Sequence, residues 1–427
     1  MTRRQVFRWK RVGHSVHHSV HHSVIHSVIH SVVIALLLIA PSASAQPAFE
    51  ATIGRALDSM AATATGDDRG ITAGGLLLEH WMASERLRIF YDLDAGDYTT
   101  PGDWRYFLHQ GGATWRADLG QGGPRLFVGG TGTWRDNGAS WAAAGYQAFG
   151  AFANLEARPR DGVTLRTGYR LDVRRFPDYA ELDQTEHGGF GSVLVNLPSK
   201  TTLIGELRVG GKAYQGLAVT PVDADVSAAT GPTMVGQGRG RGAIGLGAFD
   251  RVPVAWAQAP PTERAGQVSW MGRVAQSLAD RTGVSAQYYQ RETFGSLPPI
   301  MVLTPALFFD DGVYDDPFAS EQRTASTAFT QVFARGDSIE AWGSWSRKAY
   351  TATPAYGLDG EPLEGEPLRN DRIWRGGAAW THALLPHRTG PLAVDVVLRY
   401  DFTRHQSNDL FYNYRSHVLG FAVSVGY

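Results

Sequence analysis

The sequence predicts an all-β fold, a transmembrane antiparallel up-and-down β-barrel of about 16 strands, in the range of roughly 14 to 18. Three observations predict it. Segments of alternating apolar and polar residues recur along most of the 427-residue chain, and a period of two marks a two-faced strand. The composition joins 50 Gly to 12 Trp and 16 Tyr, with no apolar run of 18 residues, which excludes a helical membrane protein and fits a barrel. The segments between strands alternate between short and long, as barrel turns and loops do.

The amino terminus reads as an export signal. Arg3, Arg4, Arg8, Lys10 and Arg11 form a basic start, residues 32–40 an apolar core, and Ser42, Ala43, Ser44 and Ala45 the small residues of a cleavage site. Residues 1–45 are therefore expected to be removed, leaving 46–427 as a single barrel domain. The apolar core is too short to cross a bilayer. His-Ser-Val recurs from His14, His18, His22, His26 and His30. It reads as an expanded repeat in a discarded segment rather than a metal-binding tract. Removal of 1–45 leaves 35 basic residues against 41 acidic ones, a formal charge of −6.

The strands follow in order. Residues 49–55 are a candidate first strand, and 71–82 with 87–97 form a hairpin around 83–86. In 125–135, Leu126, Val128 and Trp134 oppose Arg125, Thr131, Thr133 and Arg135. In 163–174, Val163, Leu165, Tyr169, Leu171 and Val173 oppose Arg166, Arg170, Asp172 and Arg174. In 201–214, Leu203, Leu207 and Val209 oppose Glu206, Arg208 and Lys212. Residues 239–250 read as one further strand and 253–258 as a short return. Segments 267–279, 282–293 and 392–404 repeat the pattern, with Arg273, Arg291, Asp395, Arg399 and Asp401 on their polar faces. These runs are about 10 to 14 residues long, which suits tilted strands crossing a membrane. Trp and Tyr recur near their ends, as at Trp104, Trp134, Tyr169, Tyr288, Trp345, Trp374 and Tyr414.

The links orient the barrel. Residues 158–162, 198–200, 280–283 and 335–337 are short, whereas 177–186, 215–238, 294–322, 351–369 and 406–412 are longer and rich in Pro, Gly, Asp and Glu. In barrels of this kind the short turns lie inside and the long loops outside.

The last stretch is Tyr414–Tyr427. Leu419, Phe421, Val423, Val425 and Tyr427 alternate with Gly420, Ala422, Ser424 and Gly426. This resembles the closing strand of bacterial outer-membrane β-barrels, whose terminal aromatic residue and alternating apolar positions are read by the barrel-assembly machinery. Tyr427 departs from the usual terminal Phe. The resemblance implies residence in the cell outer membrane of a Gram-negative-type cell, contact with outer-membrane lipid, and the assembly machinery as a partner. The five apolar residues should then face lipid.

The polar faces carry the chemistry. Bases are expected inward at Arg125, Arg135, Arg158, Arg166, Arg170, Arg174, Arg208, Lys212, Arg273, Arg291, Lys348, Arg375 and Arg399. Acids are expected there at Glu156, Asp172, Glu206, Glu340, Asp395 and Asp401. A cationic lumen concentrates anions. The expectation is a porin-like passive channel favouring small anionic solutes or acidic sugars. Two alternatives stay open: a barrel filled by its own side chains that binds a periplasmic or surface partner, and an outer-membrane enzyme acting on lipid. Asp310, Asp311, Asp315 and Asp316 are weak candidates for a cation, in no EF-hand spacing, and Asp92, Asp94 and Asp97 weaker ones. The chain has no Cys, so thiol catalysis and Cys-based zinc sites are excluded. Gly-x-Ser-x-Gly and His-Glu-x-x-His are missing, and no cofactor or nucleic-acid partner is expected. The dense run 169–179 through Glu186 and His187 is expected to leave the wall for an outer loop and to clamp it.

Overall fold

The computed structural model describes residues 47–62, 66–82, 86–98, 104–137, 145–178, 180, 183–214, 255–256, 264–295, 300–301, 317–333, 336–357, 362–385 and 393–426. The export signal, the 239–250 strand, Asp310, Asp311, Asp315, Asp316 and Tyr427 lie outside the described residues.

The strands are β1 (Pro47–Ala62), β2 (Gly66–Met82), β3 (Leu87–Tyr98), β4 (Trp104–Asp118), β5 (Arg125–Asn137) and β6 (Tyr146–Arg160). Then come β7 (Val163–Arg175), β8 (Gln184–Asn196), β9 (Thr201–Tyr214), β10 (Ala255–Trp256), β11 (Arg264–Ala279) and β12 (Thr282–Phe294). The last are β13 (Ile300–Met301), β14 (Ser320–Val332), β15 (Ser338–Pro354), β16 (Leu368–Leu385), β17 (Ala393–Ser407) and β18 (Tyr414–Gly426). All but β10 and β13 pair in chain order into a closed sixteen-stranded antiparallel barrel. β10 and β13 form a separate two-stranded sheet, so the expected return strand at 253–258 is not part of the wall.

Closure joins β1 to β18, from Glu50 opposite Gly426 to Ala62 opposite Tyr414. An open sheet would leave a row of unpaired N–H and C=O groups on each of these strands, and closure removes both edges. Barrel strands run from 12 to 18 residues, longer than the pattern suggested. Backbone pairing continues past the apolar positions that make a strand visible in sequence. Hence Glu186 and His187, expected in an outer loop, lie within β8, opposite Asp172 and Leu171 of β7.

Turn chemistry holds the short end. Asp161 and Gly162 join β6 to β7, with Gly162 at a φ of 76°. A Cβ there would stand 2.7 Å from the Asn196 carbonyl oxygen, which glycine avoids. Lys200, at a φ of 61°, closes the β8–β9 turn and reaches Asp280 of the β11–β12 turn at 2.9 Å. That contact holds the fully exposed Asp280 carboxyl below the usual carboxylate range. The other end carries the long links, except near the amino terminus, where residues 63–65 and 99–103 suffice. Antiparallel pairing sets which end a link occupies, and link length follows only loosely.

The two wall faces differ sharply. Large apolar side chains at Trp134, Phe149, Leu207, Trp270, Leu278, Leu398 and Phe421 are exposed. They define the outer face. On β18, Leu419 and Phe421 are exposed outward, Val423 and Val425 share their parity, and Ser416, Ala422 and Ser424 are buried on the opposite face with Gly420 and Gly426.

Candidate functional site in the barrel lumen

Strand parity places the expected bases opposite the exposed apolar set. Arg125 and Arg135 lie on β5, Arg158 on β6, Arg166, Arg170 and Arg174 on β7, and Arg208 and Lys212 on β9. Arg273 lies on β11, Arg291 on β12, Lys348 on β15, Arg375 on β16 and Arg399 on β17. The acids Glu156, Asp172, Glu206, Glu340, Asp395 and Asp401 share that inner face. Sequence reasoning missed Arg88, Arg116 and Arg369 there, together with Glu79, Asp92, Asp94, Glu186 and Asp371. Asp92 and Asp94 are strand residues alternating with Tyr91 and Leu93. They are wall charges on the strand expected at 87–97, where the sequence makes them only weak cation candidates, and the alternation was the signal.

The inner charges are paired mainly along a strand, at i and i+2, where a period of two places both on one face. Arg158 reaches Glu156 at 3.1 Å, and Arg166 reaches the same carboxylate from β7 at 2.8 Å. Arg170 pairs with Asp172, Arg208 with Glu206, and Arg399 with Asp401. The partners are unequally exposed. Arg158, Arg166, Arg170 and Arg208 are 61, 55, 68 and 65% exposed, whereas Glu156, Asp172 and Glu206 are 8, 28 and 19%. The short carboxylates sit against the wall and the longer guanidinium groups arch over them. Within these pairs on β6–β9 the guanidinium groups are thus the more exposed partners.

Other expected lumen bases are buried and support structure instead. Arg291 donates to the Ser320 carbonyl oxygen at 3.2 Å and to Ser320 Oγ at 2.9 Å. Thr293 donates to the same carbonyl, and Gln267 to the Pro317 carbonyl oxygen at 2.8 Å. These bonds seat the 3-10 turn Pro317–Ala319 against the inner face, with Phe318 buried and the Lys212 ammonium 5.9 Å from its ring. Arg135 is likewise buried, its guanidinium 5.0 Å from the Tyr106 ring.

The densest buried cluster lies at the long-link end of β15–β17. Asp371 is fully buried. It accepts from Arg369 Nη2 at 2.6 Å, from Ser407 Oγ at 2.6 Å and from the Tyr350 hydroxyl at 3.4 Å. Arg369 is stacked between Tyr350 and Tyr412, 4.4 and 3.3 Å from the ring centres. His405 Nε2 stands 2.9 Å from Asp371 but lacks a well-aligned hydrogen bond, so the contact acts as an ion pair when the ring is protonated. Asn408 ties this cluster to β16, accepting from the Asn370 N–H at 2.7 Å and donating to the Leu368 carbonyl at 2.9 Å. Above it, burial pushes the Tyr356 phenol up, with Asp409 and then Glu366 adding to the effect. Asp, His and Ser do meet here, as an enzyme reading requires. Yet Ser407 donates to Asp371 and not to His405, so no base activates the hydroxyl. The geometry is that of a buried clamp.

A second clamp closes the β7–β8 link. Arg175 Nη1 donates to Asp183 Oδ2 at 2.8 Å, and the Phe176 N–H donates to Oδ1 at 2.8 Å. The clamping expected of this region thus runs through Arg175 and Asp183. Among the described residues no group of three His, Asp or Glu is arranged to hold a metal ion.

Known proteins offer likeness at low similarity. No protein-family profile and no curated protein matches the chain. Among solved structures, Pseudomonas aeruginosa OpdO is similar at 10% identity and a TM-score of 0.45, over 90% of this chain and 97% of that one. Pseudomonas aeruginosa OccK7 (OpdD) is similar at 10% identity and a TM-score of 0.46, over 90 and 99% of the two chains. OccK8 (OprE) of the same organism reaches 9% identity and a TM-score of 0.43, over 89 and 98%. The fold assignment rests on the strand pairing of this chain.

Proposed function

We propose that the mature chain is a porin-like channel of the outer membrane whose lumen favours anionic solutes. The exposed apolar belt supports the membrane placement, since burying each large side chain contributes about 1.5–3 kcal/mol. The basic start and apolar core of residues 1–45 support export. A barrel of sixteen strands is wide enough to hold an aqueous passage. The single observation that carries the selectivity is the exposure difference on β6–β9, where guanidinium groups cover their own carboxylate partners. An ion in the lumen meets the outermost charge first, so anions are enriched and cations depleted.

One observation favours a second reading. The turn Pro317–Ala319 is bonded to the inner face, which is how a barrel that fills its own lumen begins. Conductance in planar bilayers separates the two. The channel reading expects ion conductance with anion preference, falling when Arg166, Arg170 and Arg208 are all replaced by Gln. A folded barrel that conducts at no voltage overturns it in favour of the filled barrel.

A further inference from the structure

The outer face should be apolar where it meets hydrocarbon, yet five arginines share it at the long-link end of β14–β18. Arg323 of β14 stands opposite Arg347 of β15, and Arg347 opposite Arg372 of β16. One step along, Arg404 of β17 stands opposite Arg415 of β18. Their parity is that of Phe329, Ile339, Trp374, Leu398 and Leu419, all exposed on the outer face. Arg323, Arg347, Arg372 and Arg415 are themselves exposed. Among the described residues, none of the five has a carboxylate within ion-pair distance. Glu321 shares the outer face of β14 two residues from Arg323 without pairing to it, and Glu292 of β12 accepts from Gln290 at 2.8 Å.

Like charges directly opposite one another destabilise a sheet. Three in a row, spaced about 5 Å apart by the strand separation, form a site that an anion would relieve. Arginine is suited to a phosphate, because its planar fork donates two parallel charge-assisted hydrogen bonds. At the membrane midplane each would cost about 2–4 kcal/mol, falling to about 0–1 near the interface, so the row belongs at headgroup level.

What lies below the row names the ligand class. One step toward the short-turn end are Ala325, Trp345 and Trp374, each two residues from its arginine on the same face. They border an open depression of about 630 Å³ with Val274, Ala286 and Tyr288. Its lining joins the small residues Gly272, Ala286, Ala325 and Gly343 to the rings of Tyr288, Trp345 and Trp374. Phosphate recognition above an apolar slot is what a phosphorylated, acylated lipid requires.

We propose that Arg323, Arg347 and Arg372, with the depression beneath them, bind the phosphorylated glycolipid of the outer leaflet, the phosphates on the arginines and an acyl chain in the slot. The assignment rests on the outer-membrane reading, with the long links outside the cell.

The test uses the purified, folded barrel and native mass spectrometry with three probes: lipid A carrying two phosphates, the same lipid dephosphorylated, and phosphatidylglycerol. The bisphosphorylated lipid is expected to bind about tenfold or more tightly than either other probe, the scale of one charge-assisted hydrogen bond. Replacing Arg323, Arg347 and Arg372 together by Gln is expected to abolish the difference. Lys at the same positions should keep part of it, and Arg166→Gln in the lumen all of it. Comparison of probes on the unaltered chain keeps the test valid if the triple variant folds poorly. Equal binding of lipid A with and without phosphate, or by a folded triple variant, overturns the site. Equal binding of phosphatidylglycerol overturns the glycolipid as ligand. Fractionation outside the outer membrane, or long links shielded from protease added to whole cells, overturns the parent reading by a separate readout.

Discussion

Two sets of arginines in this wall have opposite surroundings. On the inner face of β6–β9, Arg158, Arg166, Arg170 and Arg208 each rest on a carboxylate of their own or the neighbouring strand. On the outer face of β14–β18, Arg323, Arg347 and Arg372 oppose one another with no carboxylate partner among the described residues. The side chains are chemically identical. The first set has its neutralising charge built into the protein, so its effect on the lumen is a matter of which partner is more exposed. The second has no such charge, and its neutralisation is left to whatever lies against the wall. A paired arginine holds the barrel and tunes a field, whereas an unpaired row is a site for a ligand.

Variants that break pairs should separate these roles. The largest effect is expected at Asp371, the fully buried partner of Arg369. Asp371→Ala leaves that guanidinium buried without its carboxylate, which costs about 3–5 kcal/mol. A lower temperature for loss of heat-modifiable gel mobility would register it. An unchanged temperature would show that the Tyr350 and Tyr412 rings alone hold Arg369.

A moderate effect is expected at Glu156, which serves both Arg158 and Arg166. Glu156→Gln keeps acceptor oxygen but removes the charge. Two unit charges about 4 Å apart in water interact by about 1 kcal/mol, so anion over cation permeability should rise by up to about fivefold. The sign is opposite to that of Arg166→Gln. Reversal potentials shifting the same way in both variants would refute the account of buried carboxylates under exposed guanidinium groups.

The smallest effect on stability is expected at Arg347. With no carboxylate partner among the described residues, Arg347→Gln in lipid-free detergent should change unfolding free energy by less than about 0.5 kcal/mol, or raise it slightly by relieving Arg323 and Arg372. Marked destabilisation would mean that Arg347 has a structural partner, and the contrast between the two faces would collapse.

Much of the wall was legible in the chain. Leu203, Leu207 and Val209 against Glu206, Arg208 and Lys212 show both faces of β9 within one segment, because side-chain direction in a strand depends only on parity. The ends were less legible. Glu186 and His187 look like loop because no large apolar residue flanks them, yet backbone pairing does not depend on apolar side chains. The site was legible only in part. Parity places Lys212 and Arg291 inward, but it says nothing of the turn Pro317–Ala319 that covers them. Asp371 and His405 are 34 positions apart, with nothing local to link them.

By itself the sequence determined the fold class, the approximate strand number and the alternation of faces. Each follows from local rules: a period of two, the conformational demands of turns, and composition. Tertiary structure alone decided which residues stand opposite one another. Register joins β1 to β18, brings Ser407 and His405 to Asp371, and aligns Arg323, Arg347 and Arg372 into a row. Those arginines lie on three strands, 24 and 25 positions apart. A hydrogen-bond ladder makes such distant positions neighbours about 5 Å apart, and no local pattern records which ones it will choose.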